Sequence, residues 1–475
     1  MTRRIQPADL QLGLTIGGRD ETAEDTLEVV DPSTGDAFAR VPRASRAQLD
    51  AAVEAAEAAF GDWSRRPWAE RRELLSAFCD AVEADLDVLG PLVAQEAGKP
   101  LAKGEAEVKG GCFFARGFAK LRLEPETLRD DEGQLVRVER RPLGVVGSII
   151  AWNYPGLLAM WKIAPAVLTG NTVVLKPAPS TPLAALRLGQ IARRVFPPGV
   201  VNVLSGDDDL GRWMSEHPGI RKIAFTGSVA TGKAIMAAAA PTLKRLTLEL
   251  GGNDPAIVLE DFDLDGRGEE LFWAAFANNG QVCACIKRLY VPAAMVDAVA
   301  DRFAALARGV RVGPWHQEGV QIGPLQNRPQ RDRVASLVAE ASERRAPFFQ
   351  GQAPSEGFFF PITLYKDLPD DCRLVSEEQF GPALAIIGYA SLDEAVSQAN
   401  ATEFGLGASV WGRDVERAIE VAARLEAGNV FVNQHPSMGP EIPYGGIKQS
   451  GIGVECGTEG LSEYTHPVVL NVKRG

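Results

Sequence analysis

Five short apolar, β-branched runs recur at intervals of roughly 20 to 30 residues through the middle of the chain: Val145 to Ile150, Thr172 to Leu175, Val200 to Leu204, Lys222 to Phe225 and Leu246 to Leu250. Helical stretches, Leu183 to Val195 and Thr231 to Ala239, fit between them. Strand and helix in that alternation read as a parallel sheet wound with helices, as in nucleotide-binding folds. Such sheets bind ligands at the carboxyl ends of their strands.

Upstream, Leu49, Ala52, Val53, Ala56, Ala59 and Phe60 recur at helical spacing, with Ser45 as the expected N-cap and Gly61 as the expected stop. The first hundred residues read as mainly helical. Downstream, a second strand and helix series runs from about residue 255 to 450 and carries Cys283 near its start. Two pieces fit neither series. Residues 124–142, with Val136 and Val138 alternating among charges, and the tail 455–475, with Val468, Val469, Leu470 and Val472, are expected to be strands that pair between subunits.

A chain of 475 residues at 45% hydrophobic and 24% charged content is long enough for two or three domains. Its net charge of −12 argues against nucleic acid as a partner, because neutralising phosphates needs a basic surface. Residues 1–20 have no apolar signal core, and the apolar stretch Leu157 to Leu168 is interrupted by Lys162 and Pro165. No membrane partner is expected, and the cytoplasm is the expected location. Six cysteines do not make a disulfide framework in so long a chain, and four histidines offer few ligands for a structural metal. No metal is expected.

Gly227-Ser-Val-Ala-Thr-Gly232-Lys233 matches most of a phosphate-binding loop of the nucleoside triphosphatases, but Ala234 stands where a magnesium-binding hydroxyl is required. The same loop still suits a pyrophosphate. Gly227 and Ser228 leave the run ending at Phe225 and open a helix whose N-terminus attracts anions. Elsewhere, Glu249 sits in Leu248-Glu249-Leu250-Gly251-Gly252-Asn253 and Cys283 in Asn278-Asn279-Gly280-Gln281-Val282-Cys283. A thiol attacks as its thiolate, and covalent catalysis then needs a base to bring in water. These two segments supply a nucleophile and a base.

Glu249, Cys283, Asn153 in Ala151-Trp152-Asn153-Tyr154-Pro155, and Glu377-Glu378-Gln379-Phe380-Gly381-Pro382 form a set that resembles the NAD(P)-dependent aldehyde dehydrogenase superfamily. Val174-Leu175-Lys176-Pro177, Phe225-Thr226-Gly227-Ser228 and Pro443 to Gly451 extend the likeness over nearly the whole chain. The resemblance implies an α/β fold with a Rossmann-type cofactor-binding domain (1–123 and 143–251), an α/β catalytic domain (252–454), and a bridging β-flap for oligomerisation (124–142 and 455–475). A homodimer or homotetramer is the implied assembly. The implied reaction is oxidation of an aldehyde to its carboxylic acid through a thiohemiacetal and a thioester. Cys283 would be the nucleophile, Asn153 and the Cys283 backbone N–H the oxyanion donors, and Glu249 the base for the deacylating water.

By the same resemblance Lys176 would bind the adenosine ribose, Glu378 the nicotinamide ribose, and Phe380 would pack beside the nicotinamide. Ile150, Trp152, Gly206, Phe225, Gly227, Ser228, Leu250 and Gly251 would line the rest of the cleft. Pro179 departs from the pattern, because many NAD-preferring members carry there a glutamate that holds the ribose hydroxyls and repels a 2′-phosphate. NAD and NADP both remain as cofactors, with NAD favoured. Tyr154, Trp161, Tyr444 and Met438 would line the substrate tunnel and favour apolar or aromatic aldehydes. Arg116 and Arg288 are the candidates for binding the carboxylate of a semialdehyde. Cys285, two residues beyond Cys283, is a candidate partner in a reversible oxidative off-switch. The alternatives are a semialdehyde-specific or coenzyme A-acylating enzyme, and a catalytically silent dinucleotide-binding homologue.

Overall fold

Each of the five apolar runs is a strand: Val145–Ile149, Thr172–Lys176, Val201–Val203, Ile220–Thr226 and Arg245–Glu249. The computed structural model describes residues 10–474; residues 1–9 and 475, which fall in the expected segments 1–123 and 455–475, lie outside the described residues. From Val145–Ile149 the chain builds outward through parallel Thr172–Lys176 to Val201–Val203. It then crosses back to add Ile220–Thr226 and Arg245–Glu249 on the other side, again parallel. The strand order therefore reverses at Val145–Ile149, and in sheets of this kind a crevice opens at the carboxyl ends beside that reversal. Helices Pro155–Leu168, Leu183–Val195, Asp208–Glu216 and Val229–Ala239 make the crossovers.

The amino-terminal region differs from its helical expectation. Leu14–Ile16 and Arg19–Glu21 form a hairpin that joins this sheet through Thr15 opposite Val203. Asp25–Val30 and Ala37–Arg43 form a second hairpin. Its turn is set by Asp31, whose carboxylate accepts from the Ser33 N–H, and by Gly35 at φ +81°, where a side chain would be strained. Helix begins only at Arg46, after a capping box in which Ser45 and Gln48 bond each other's backbone N–H. Gly61 does not stop it. The helix runs to Arg65 because Trp63, 1% exposed, is buried against Phe196 and donates to the Val167 carbonyl, and that burial outweighs the cost of about 1 kcal/mol for a helical glycine. Pro67 ends it by holding Arg66 extended.

The second series forms a seven-stranded sheet in the order Phe349–Gln350, Thr363–Lys366, Ala383–Tyr389, Ile286–Pro292, Asp254–Val258, Gly407–Trp411, Asn429–Val432. Only Phe349–Gln350 runs antiparallel to its neighbour. Alternate residues of one strand feed two cores, Ala256 and Val258 one face and Ile257 the other. Gly451–Ile452 returns to the first sheet, antiparallel to Leu248 and Glu249.

Within the chain, the two segments expected to pair between subunits also pair with each other. Gln134–Pro142 lies between Glu126–Asp130 and Thr465–Lys473, with Val138 opposite Val469 and Val136 opposite Asn471. The central strand thus satisfies its ladder within the chain, while Thr465–Lys473 keeps one edge open. Among the described residues no helix is long and apolar enough to cross a membrane.

Candidate active site

The ends of the five parallel strands gather the residues expected around a dinucleotide. Ile150 and Trp152 follow Val145–Ile149, Lys176 ends its strand, Gly206 follows Val201–Val203, Gly227 and Ser228 follow Ile220–Thr226, and Leu250 and Gly251 follow Glu249. Phe225 is buried inside its strand. Ser228 caps the helix Val229–Ala239 by accepting from the Thr231 N–H. Lys176 is 3% exposed and donates only to the Pro177 carbonyl, at 3.3 Å. Burial lowers its pKa to about 8. A buried amine with spare donors suits ligand hydroxyls.

Three segments meet around Cys283. A Cβ on Gly252 would lie 2.7 Å from the Cys283 carbonyl oxygen, so glycine lets these two backbones approach, while Gly251 lies against the Glu378 carboxyl. The Gly252 N–H donates to Glu378 Oε1 at 3.1 Å. The loop before Cys283 is wound by three consecutive left-handed residues, Asn278 at φ +50°, Asn279 at +60° and Gly280 at +72°. Left-handed asparagines are costly, and strain of this kind persists where surrounding structure fixes it. Here Lys287 ties the loop, donating to the Gly280 carbonyl at 3.0 Å and the Val282 carbonyl at 2.8 Å. Asn153 joins from the first sheet, its Nδ2 donating to the Gln281 carbonyl at 3.1 Å. An amide has two N–H donors, so a second remains.

Burial dominates the electrostatics of this region. Burial, then Glu249 and Glu378, push the Cys283 thiol up to about 12, and its Sγ lies 3.9 Å from the Tyr444 hydroxyl. Glu249 is 3% exposed and held well above the ordinary carboxylate range by burial and then by Glu455, against the pull of Lys162. Glu378 rises to about 7, chiefly through burial. Each of these groups is driven toward its neutral form.

Several supporting residues carried no motif. Lys99 donates to Glu107 at 2.5 Å and to the Asn153 carbonyl at 2.7 Å, while Glu107 accepts from the Gly156 and Leu157 N–H groups at the start of Pro155–Leu168. Breaking such a buried pair costs about 3–5 kcal/mol, which fixes the turn that presents Asn153. Lys162 pairs with Glu455 behind Glu249. One sequence signal pointed there: a lysine within an apolar helix needs a buried partner.

On the other side of Cys283 a line of aromatic rings leads outward. Tyr444 packs on Trp161 with centroids 6.1 Å apart, Trp161 on Phe114 at 4.9 Å, and Phe114 on Phe113 at 5.6 Å. Phe113 is 61% exposed and lines a groove of about 480 Å³ with Leu121, Pro440 and the charged Lys109, Arg116, Lys120 and Glu441. Tyr154 is half-buried, its ring under the Lys99 ammonium at 3.9 Å, and Met438 packs partly buried on the same core. Trp152 and Phe380 meet edge to face at 5.3 Å on the cofactor side.

Neither candidate arginine is free for a substrate carboxylate. Arg288 is 2% exposed and is consumed by the Asn253, Gln398 and Ala399 carbonyls and the Tyr290 hydroxyl. Arg116 is clamped by Glu83 and Asp80. Cys285 is buried with its Sγ against the Gly280 carbonyl at 3.4 Å and the Lys287 ammonium at 2.7 Å. All six cysteines are free. Among the described residues no group of three or more His, Cys, Asp or Glu side chains could hold a metal ion.

Comparison with known proteins adds independent observations. A family model described as the aldehyde dehydrogenase family matches residues 19–469. A phenylacetaldehyde dehydrogenase of Pseudomonas fluorescens is 38% identical over 471 residues, covering 95% of this chain and 94% of that protein. Aldehyde dehydrogenase LUC3 of a Fusarium species is 38% identical over 453 residues, covering 94% and 96%. The NAD+ complex of an aldehyde dehydrogenase from Bacillus cereus superposes with a TM-score of 0.95 at 33% identity, covering 98% of each chain.

Proposed function

The chain belongs to the aldehyde dehydrogenase family and is an oxidoreductase of the aldehyde group, and from the geometry around Cys283 we propose that it oxidises apolar or aromatic aldehydes to carboxylic acids by covalent thiol catalysis. The observation that carries this reading is the meeting of three groups in one buried pocket: Cys283, the raised carboxyl of Glu249, and the Asn153 amide.

The chemistry of each residue follows from its surroundings. The Cys283 thiol, held near 12 by burial and then by the Glu249 and Glu378 carboxylates, must give its proton up to solvent before the sulfur attacks. Attack of the sulfur on the carbonyl carbon puts charge on oxygen, which the spare N–H of Asn153 and the Cys283 N–H would stabilise. The tetrahedral thiohemiacetal can then lose hydride and become a thioester on Cys283. A nicotinamide dinucleotide, NAD or NADP with NAD favoured, would supply the hydride acceptor. The spare donors of Lys176 and the Glu378 carboxylate beside Gly251 fit its two riboses. Glu249 then removes a proton from the water that hydrolyses the thioester. That hydrolytic role is the reason to prefer water over coenzyme A as the final acceptor.

Substrate class rests on the aromatic line from Tyr444 to Phe113, on the engagement of Arg116 and Arg288 elsewhere, and on the phenylacetaldehyde activity named for the Pseudomonas relative. Initial rates of nicotinamide reduction without coenzyme A should favour phenylacetaldehyde over succinic semialdehyde by about 10- to 100-fold in kcat/KM. A preference for the semialdehyde, or turnover only with coenzyme A, contradicts the reading.

The division into a cofactor domain (1–123 and 143–251), a catalytic domain (252–454) and a bridging flap (124–142 and 455–475) belongs to the same proposal. So does assembly. The open edge of Thr465–Lys473 carries exposed Val469, Leu470 and Val472, and the seven-stranded sheet ends on Asn429–Val432 with Val430 exposed. Pairing these two edges between copies would extend the sheet into a homodimer, or a homotetramer built from it. Val430→Asp should then reduce the mass seen by light scattering to one 50.9 kDa subunit. An unchanged mass would remove this interface. Six free cysteines suit the reducing cytoplasm we assign to it.

A further inference from the structure

Pro179 leaves the expected place of a ribose-binding carboxylate empty of charge, yet carboxylates surround Lys176 from another element. The stem of Lys176 runs along the helix Asp208–Glu216: a Cβ on Gly211 would meet its Cε at 3.8 Å and its Cδ at 3.9 Å. That helix opens with Asp207, Asp208 and Asp209. Burial is the largest influence on Lys176, and Asp208, then Asp207 and Asp209, oppose it by favouring the charged amine. The three carboxylates are not equivalent. Arg43 binds Asp207 at 2.9 Å and Asp209 at 2.7 Å, with Asp25 at 3.5 Å. Asp208 is exposed and has no side-chain hydrogen bond or ion pair among the described residues.

Resting on the proposed role of Lys176 at the adenosine ribose, we propose that Asp208 is the residue that selects NAD over NADP, taking the place that Pro179 cannot fill. An ammonium donates and a carboxylate accepts, so the pair Lys176 and Asp208 matches a vicinal diol, which does both. A 2′-phosphate offers acceptors alone and about two negative charges. It would meet three carboxylates at the start of this helix, and Arg43, the cation beside them, is already neutralised by two of them. The helix N-terminus favours an anion by no more than about 2 kcal/mol, against which a doubly charged group faces several like charges at close range.

The test is isothermal titration calorimetry of the full-length protein with NAD and with NADP, on the wild type, Asp208→Asn and Glu216→Gln. Glu216 is an exposed carboxylate at the far end of the same helix. Wild type should bind NAD more tightly than NADP by about tenfold or more, and Asp208→Asn should shrink that ratio by about tenfold, mainly by tightening NADP. Raising salt should shrink the wild-type ratio as well, because the repulsion is screened. Glu216→Gln should leave it in place. The proposal is overturned if Asp208→Asn keeps the wild-type ratio within about twofold or if Glu216→Gln moves it equally. A protein that binds neither dinucleotide overturns both this proposal and the cofactor reading beneath it; tight NAD binding without an Asp208 effect overturns this one alone.

Discussion

Cys283→Ala should lower aldehyde oxidation by at least about 10⁴-fold while leaving dinucleotide binding within about twofold of wild type. The size follows from the role. Without the sulfur there is no thiohemiacetal, and hydride has no tetrahedral carbon to leave. The remaining pocket can only bind, since Asn153 and the Cys283 backbone stabilise charge that no longer forms. Folding should be little affected, because the side chain is only partly buried and alanine removes one atom from the edge of the core. Calorimetry with NAD and steady-state rates on the same preparation check both halves. Turnover above about one thousandth of wild type would move the nucleophile elsewhere.

Glu249→Gln should lower steady-state turnover by about 10²- to 10³-fold and expose a burst of reduced nicotinamide close to one equivalent per active site. The substitution keeps shape and burial but removes the base, so the thioester forms and its hydrolysis stalls. The pH dependence has a definite sign. Burial raises the Glu249 pKa, so below that raised value the side chain is protonated and cannot accept a proton from water. Wild-type deacylation should therefore climb with pH across a limb lying well above the ordinary carboxylate range, and the variant should lose that limb. Stopped-flow absorbance at several pH values reads both effects. Equal slowing of burst and steady state would contradict a role confined to deacylation.

Much of the nucleotide-binding half could be read from the sequence because its strands are buried on both faces and so written as plain apolar runs. The helix Leu183–Val195 lies just where periodicity placed it, and the residues assigned to the dinucleotide stand at or near strand ends of the first sheet, except Glu378 and Phe380, which precede Ala383–Tyr389 of the second. The amino-terminal hairpins escaped notice because their strands are short and half-exposed, with burial patterns too mixed to show a period. Gly61 misled because propensity is local, whereas the burial of Trp63 that carries the helix past it is tertiary.

The candidate site could be named by residue type, but the contacts that hold those residues could not. Lys99, just before the helix Leu101–Phe118, and Glu107 on it meet Asn153 from a distant loop, and nothing in the spacing of that lysine and glutamate announces that both are buried. The left-handed turn at Asn278 and Asn279 is likewise fixed by Lys287 and the backbone around it. Arg288 shows the converse. As a residue type it suited a substrate carboxylate, and only its four bonding partners reveal it as a clip holding the strand to its neighbours.

Covalent catalysis on Cys283 is tested most directly by trapping the intermediate. Glu249→Gln protein mixed with phenylacetaldehyde and NAD, quenched in acid after the burst and digested, should carry a phenylacetyl group on the peptide that spans Cys283. Fragment spectra should place it on Cys283 and not on Cys285, and hydroxylamine should remove it. A burst with Cys283 unmodified, or the acyl group on any other cysteine, would contradict the account.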